Sequence, residues 1–169
     1  MTKKYLIQKH IETGVTDIVQ QMHKDNWRPD YIVGIVRGGL VPAVMMSHFL
    51  GVTMYTLDVR LRDSAKGNES NAWMSEDAFG VFPQGKNILI LDDINDTGAT
   101  LNWIKQDWTS MCHLDDPYRP ITCEVWHNNV RFAVIVNNLS SDFEVDYHSI
   151  EINKAEDPLW VVFPHEKWW

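Results

Sequence analysis

Ile88-Leu89-Ile90-Leu91-Asp92-Asp93-Ile94-Asn95-Asp96-Thr97-Gly98-Ala99-Thr100 is the stretch on which the fold turns. Four apolar, strand-forming residues run into three carboxylates and then into Thr-Gly-Ala-Thr, which reads as strand, loop and helix start. In an α/β sheet, ligands bind beyond the carboxyl ends of the strands, where this loop would lie. The free amides of residues 97–100, two hydroxyls and Gly98 without a side chain allow a phosphate to approach closely. Asp92 and Asp93 can accept hydrogen bonds from a vicinal diol or hold hydrated Mg²⁺ through oxygen. A phosphorylated sugar satisfies both halves. Taken alone, an acidic pair is commonplace on a solvated loop, and an Asp can simply cap a helix; the whole string is far rarer by chance. Other phosphate motifs fit poorly: neither Gly-x-x-x-x-Gly-Lys-Ser/Thr nor Gly-x-Gly-x-x-Gly occurs, and Ile94 stands where an Asp-x-Asp hydrolase needs its second acid.

Upstream, residues 7–24 place Ile7, Ile11, Val15, Ile18, Val19 and Met22 at helical spacing, the pattern of a surface helix. Residues 31–36 are continuously apolar, as in a parallel strand buried on both faces. Arg37-Gly38-Gly39 then turns into residues 40–50, with Pro42 in the first turn of a helix. A second β-rich segment covers 53–59, and a helix is expected from Thr97 to about Trp108. Strands alternating with helices predict an α/β fold with a mainly parallel twisted sheet flanked by helices. Residues 60–87 are rich in Ser, Asn, Asp, Gly and Lys, and a stretch this long inside a compact domain reads as a flexible lid. The alternatives are an ordinary hairpin, or a short helix over 72–79. Past Ser110 the pattern changes to short β-like pieces at 131–136 and 160–163. The expected division is a core of residues 1–110, lid included, and a small C-terminal hood of residues 111–169.

A chain of 169 residues with 44% hydrophobic and 22% charged residues can bury one sizeable core, and this usage excludes disordered or fibrous classes. The net charge of −8 opposes general binding to nucleic acid. An anionic ligand must therefore be met by local cations, backbone amides or a divalent metal. Cys112 and Cys123 have no paired spacing, the first residues lack the apolar stretch of a leader, and no apolar run approaches the roughly 20 residues of a membrane span. A cytoplasmic protein without membrane contact is expected. Eight Trp suit core filling or the stacking of a planar ligand.

The string at 88–100 resembles the 5-phosphoribosyl 1-pyrophosphate (PRPP) motif of the type I phosphoribosyltransferases. Val36-Arg37-Gly38-Gly39-Leu40-Val41-Pro42 looks like the pyrophosphate loop of the xanthine-guanine branch, in which a cis peptide can occur. Two glycines let successive amides face one anion, and Arg37 adds positive charge. Pro158-Leu159-Trp160-Val161-Val162-Phe163-Pro164 is similar to the family's base-binding segment. The resemblance implies that Trp160 stacks on the base and that the backbone at Val161 reads its edge. Purine-specific members usually carry a Lys at the end of the preceding strand, donating to a 6-oxo group; here Asn138, or less fittingly Asn137, occupies that place. An amide both donates and accepts, so it would not exclude an amino group. His165 stands where relatives often have Trp, and a lone His is more often structural.

The resemblance thus implies a Mg²⁺-dependent enzyme that joins a nitrogenous base, foremost a 6-oxopurine, to PRPP, and a homo-oligomer, dimer or tetramer. Asp92 and Asp93 would position ribose and metal, directly or through water. Asp96 would accept or relay the proton of the base. Arg37, Gly38 and Gly39 would hold pyrophosphate, and Asp96, Thr97, Gly98, Ala99 and Thr100 the remaining phosphate. One rival keeps the fold as a non-catalytic sensor of PRPP or nucleotides; another is a different phosphosugar-binding α/β protein, which would not need an aromatic platform at Trp160.

Overall fold

The computed structural model describes residues 1–59, 61, 72–80, 85–111 and 124–169. In chain order the elements are β1 (Thr2–Tyr5), α1 (Gln8–Lys24), β2 (Tyr31–Val36), α2 (Leu40–Leu50), β3 (Thr53–Asp58), α3 (Ala72–Ala78), β4 (Ile88–Asn95), α4 (Ala99–Met111), β5 (Val130–Asn138), β6 (Tyr147–Ile152) and β7 (Leu159–Val162). Five strands form one sheet in the order β3-β2-β4-β5-β6, every neighbouring pair parallel. The α/β reading therefore holds.

Two-sided burial explains why the central strands read as unbroken apolar runs. Along β4, Leu89 and Leu91 pack on one side with Ile11, Val15 and Ile18 of α1 and Met46 of α2. Ile88 and Ile90 point the other way, to Met74 and Ala78 of α3 and Leu101, Ile104 and Trp108 of α4. The period-two alternation of side chains thus feeds two separate cores, and the molecule is a three-layer sandwich of helices, sheet and helices. At the start of α1 the exposed N–H of Ile7 donates to His10 Nδ1 at 2.9 Å, and the helix ends on Lys24, a cation suited to its C-terminal dipole.

Of the stretch expected to form a lid, 60, 62–71 and 81–84 lie outside the described residues, as do both cysteines. Within it, α3 is a packed element: Met74, Ser75 and Ala78 are buried, and Ser75 Oγ donates to the carbonyl of Trp108 at 2.7 Å. Past residue 110, β5 and β6 are strands of the main sheet, so the change of pattern at Ser110 does not mark a change of sheet. A separate two-stranded ribbon joins the chain ends, β1 running parallel to β7 with Lys3 opposite Trp160. This fixes the backbone of Trp160 and Val161 above the carboxyl ends of the main strands.

Candidate active site

Because all five strands run the same way, the ends of β2, β3 and β4 open onto one edge, and a cleft of about 1200 Å³ lies there. Arg37 and Gly38 follow β2, residues 92–100 line the cleft from the end of β4 into α4, and Trp160 and Val161 face it from β7. The sequence-derived candidates other than Gly39 and Asn138 thus meet in one place.

The peptide between Val36 and Arg37 is cis, and Arg37 is exposed at the cleft edge. A Cβ on Gly38 would sit 2.0 Å from Asp93 Oδ2, so only glycine lets this turn reach the acidic pair. Gly39 does not line the cleft. It is buried, and a Cβ there would meet the carbonyl of Leu91 at 2.4 Å; its smallness lets α2 start hard against the sheet.

Gly98 has φ +86°, and a Cβ would lie 2.8 Å from that of Phe143, so both the dihedral and the space demand glycine. Thr97 Oγ1 accepts the N–H of Ala99 at 3.3 Å, and the N–H of Asn102 reaches the Gly98 carbonyl at 2.9 Å as α4 begins. The exposed Thr97 hydroxyl and the amides of the first turn are donors of the kind that can receive an anion. Buried Asn95 braces this loop from below: its Nδ2 donates to Asn137 Oδ1 and to the Phe143 carbonyl, and its Oδ1 accepts from Ser141 Oγ.

Asp92 and Asp93 are partly buried side by side. Burial first, and the charge of Asp93 second, push the Asp92 carboxyl well above the usual carboxylate range. Asp93 Oδ2 lies 3.1 Å from His165 Nε2, and the His165 ring stacks on Phe163 at 5.3 Å. Two crowded hard oxygen donors suit a hydrated divalent cation. Among the described residues no group of three or more His, Cys, Asp or Glu forms a closed metal cage, so the remaining positions of such an ion would fall to water and ligand.

Asn138 requires a correction. It is 5% exposed and does not line the cleft. Its Nδ2 donates to the carbonyl of Asp96 at 2.8 Å, while its Oδ1 accepts from Ser140 N at 3.3 Å, Ser140 Oγ at 2.9 Å and Lys154 N at 3.0 Å. An amide so engaged has little left for a base. Asn137 is no substitute, since it does not line the cleft; its Oδ1 accepts from Asn95 beneath the loop. The cation in this part of the cleft is Lys154, from the loop between β6 and β7: its Nζ lies 2.8 Å from Asp96 Oδ1 and 5.8 Å from the centroid of the Trp160 ring. The sequence pattern singled out neither Lys154 nor the contact between His165 and Asp93. The only hint of the lysine was a single cation among Glu151, Glu156 and Asp157.

Comparison with known proteins agrees with this geometry. Residues 1–166 match the model of the phosphoribosyl transferase domain. A curated xanthine-guanine phosphoribosyltransferase of Cereibacter sphaeroides is 34% identical over 107 residues, which take in 50% of this chain and 59% of the relative. The chain therefore matches little more than half the length of that relative. Among solved structures, a purine phosphoribosyltransferase from Pyrococcus horikoshii superposes with a TM-score of 0.68 at 23% identity, covering 99% of this chain and 96% of the other. The xanthine-guanine-hypoxanthine phosphoribosyltransferase of Helicobacter pylori gives 0.65 at 17% identity, covering 97% and 93%. At these identities the structural likeness is one of fold.

Proposed function

The chain belongs to the phosphoribosyl transferase domain family, and on that premise we propose that it transfers the 5-phosphoribosyl group of PRPP to a nitrogenous base, foremost a 6-oxopurine, with release of pyrophosphate. The observation that carries this reading is the convergence on one cleft of the Arg37-Gly38 turn, the Asp92-Asp93 pair, the α4 start and the ring of Trp160.

The division of labour follows from the chemistry of each group. The amides and hydroxyls at 97–100 hold the 5-phosphate, and Asp92 and Asp93 accept the ribose hydroxyls. Arg37 and the turn at Gly38 hold the pyrophosphate. Asp92 and Asp93 would also hold Mg²⁺, directly or through water, which would supply positive charge against the pyrophosphate. His165 orients Asp93 through the contact of its Nε2 with Oδ2. As the C1–oxygen bond to pyrophosphate breaks and a ring nitrogen of the base closes on C1, positive charge develops on the ribose, and the carboxylates around it stabilise that charge. Trp160 stacks on the incoming base, the backbone of Val161 meets its edge, and Asp96 takes the proton that the base gives up. Leu61 adds an apolar side chain to the wall of this cleft.

The β1–β7 ribbon serves as the hood in this reading. Among the described residues no helix is long and apolar enough to cross a membrane. Val44 and Phe49 of α2 are exposed apolar side chains that a homo-oligomer would cover.

Calorimetric titration with PRPP tests the reading. Binding is expected with Mg²⁺ and not in excess chelator, and it is expected to be lost in the Thr97→Ala, Thr100→Ala double variant. Equal affinity in all three overturns it.

A further inference from the structure

Asn138 ends β5 opposite Ile152, the last residue of β6, so its side chain reaches the loop that leads into β7. It is buried, and both ends of its amide are engaged. Oδ1 accepts the main-chain N–H of Lys154 at 3.0 Å and that of Ser140 at 3.3 Å, with Ser140 Oγ at 2.9 Å. Main-chain N–H groups can only donate, so the amide has a single orientation. Nδ2 therefore faces the carbonyl of Asp96, to which it donates at 2.8 Å.

The loop after β5 grips the loop after β4 at successive residues. Ser141 Oγ donates to Oδ1 of Asn95 at 2.8 Å, Asn138 Nδ2 to the carbonyl of Asp96, and the N–H of Asp142 to the carbonyl of Thr97 at 3.2 Å. Of these three donors, Asn138 is the one whose side chain also binds the segment running from β6 to Trp160. Nζ of Lys154 reaches Asp96 Oδ1 across the same gap, but through a long flexible stem. The amide of Asn138 joins the two loops main chain to main chain. A proton acceptor works only within hydrogen-bond reach of the proton it takes, and a base stacked on Trp160 is placed by β7, not by the loop that carries Asp96. The spacing between acceptor and base is therefore set where the two loops are tied.

We propose, resting on the phosphoribosyl-transfer reading above, that Asn138 is a positioning residue for proton transfer: by tying the carbonyl of Asp96 to the N–H of Lys154, it holds the Asp96 carboxylate within reach of a base stacked on Trp160. The residue that ends β5 thus acts through the proton acceptor and does not touch the base.

The test is the single-turnover rate with saturating PRPP and Mg²⁺ and the base that the wild type uses fastest, with PRPP affinity followed separately by calorimetry. Asn138→Ala is expected to lower the rate about 10²-fold, the scale of an ångström-sized misplacement, with PRPP affinity unchanged. In the Asp96→Asn background no carboxylate is left to position, and adding Asn138→Ala is expected to cost no more than about twofold. Asn138→Asp keeps the acceptor for Lys154 N and Ser140 but loses the donor to the Asp96 carbonyl. Read on the plateau of its pH profile, it is expected to show the same fall as Asn138→Ala, and it takes the place of that variant in both backgrounds if the truncation does not fold. Ser140→Ala removes one donor to Oδ1 and leaves the tie between the loops, so its rate is expected to match the wild type. A wild-type rate in Asn138→Asp, the full fall repeated in the Asp96→Asn background, or an equal fall in Ser140→Ala overturns the role of Asn138 while leaving phosphoribosyl transfer intact. No pyrophosphate release from the wild type with any base overturns the functional reading and this assignment with it.

Discussion

The main-chain N–H of Asp93 donates to Oδ1 of Asp92 at 2.9 Å, and this bond holds two adjacent carboxylates in one partly buried site. The crowding has a cost that shows in pH. In the folded chain the Asp92 carboxyl titrates above its ordinary value of 3.8, because burial and then Asp93 disfavour its charge. The folded state therefore binds a proton that the unfolded chain releases. The associated stability is complete below the ordinary value and is lost as pH rises through the raised one. Asp92→Asn keeps the acceptor for Asp93 N–H and removes the charge. It is expected to flatten this pH dependence and raise Tm at neutral pH by about 2–4 °C, equivalent to about 1 kcal/mol in a chain this size, while abolishing Mg²⁺-dependent PRPP binding. Thermal melts from pH 4 to 8 in chelator check it; parallel profiles for variant and wild type contradict it.

Asp96 is expected to matter for turnover more than for PRPP. Asp96→Asn keeps the shape and the backbone carbonyl that Asn138 engages, but it cannot take a proton. A fall in kcat of about 10²- to 10⁴-fold is expected with PRPP affinity nearly unchanged. Comparison of single-turnover rates with calorimetric PRPP binding checks this, and near-native turnover removes Asp96 from the proton path.

Gly38 has no room for a methyl group, since a Cβ would meet the carboxylate of Asp93 at 2.0 Å. Gly38→Ala must displace Asp93 and with it the contact to His165. A loss of about 10²-fold in kcat/KM for PRPP is expected, the scale of an ångström-sized misplacement. The fold should survive, because the displaced group is the end of a side chain. Circular dichroism alongside kinetics separates the two effects, and unchanged kinetics contradict the role given to this turn.

Trp160 is 45% exposed in a cleft where a planar ligand is expected. Trp160→Ala is expected to weaken every base alike, by about 1–3 kcal/mol for the loss of one stacking face, and to leave PRPP affinity intact. Base titrations of the PRPP-bound protein check this. A variant that discriminates among bases differently from the wild type would show that the ring reads as well as stacks.

The sheet and the strand-end loops that line the cleft were legible because they are local. The runs at β2 and β4 are apolar on both faces, and the loops that follow each hold their chemistry within a few residues of a strand end. What escaped depends on distant pairings. β1, Thr-Lys-Lys-Tyr, has no strand pattern of its own and exists because β7 lies beside it. Asn138 was misplaced because a strand's period says which face a side chain takes, not whether its hydrogen bonds are already spent on Asp96, Ser140 and Lys154. Lys154 was invisible because nothing in its own neighbourhood turns it inward; the acid, the ring and the amide that hold it come from β5, β7 and the loop after β4.

The most direct measurement of phosphoribosyl transfer is pyrophosphate release by the purified wild-type chain with Mg²⁺ and PRPP, run with adenine, guanine, hypoxanthine, xanthine, uracil and orotate in turn. The expected result is release that depends on the base, is matched mole for mole by nucleoside monophosphate, and is fastest with one of the 6-oxopurines. PRPP binding without release for any of the six, or release that no base accelerates, would contradict it.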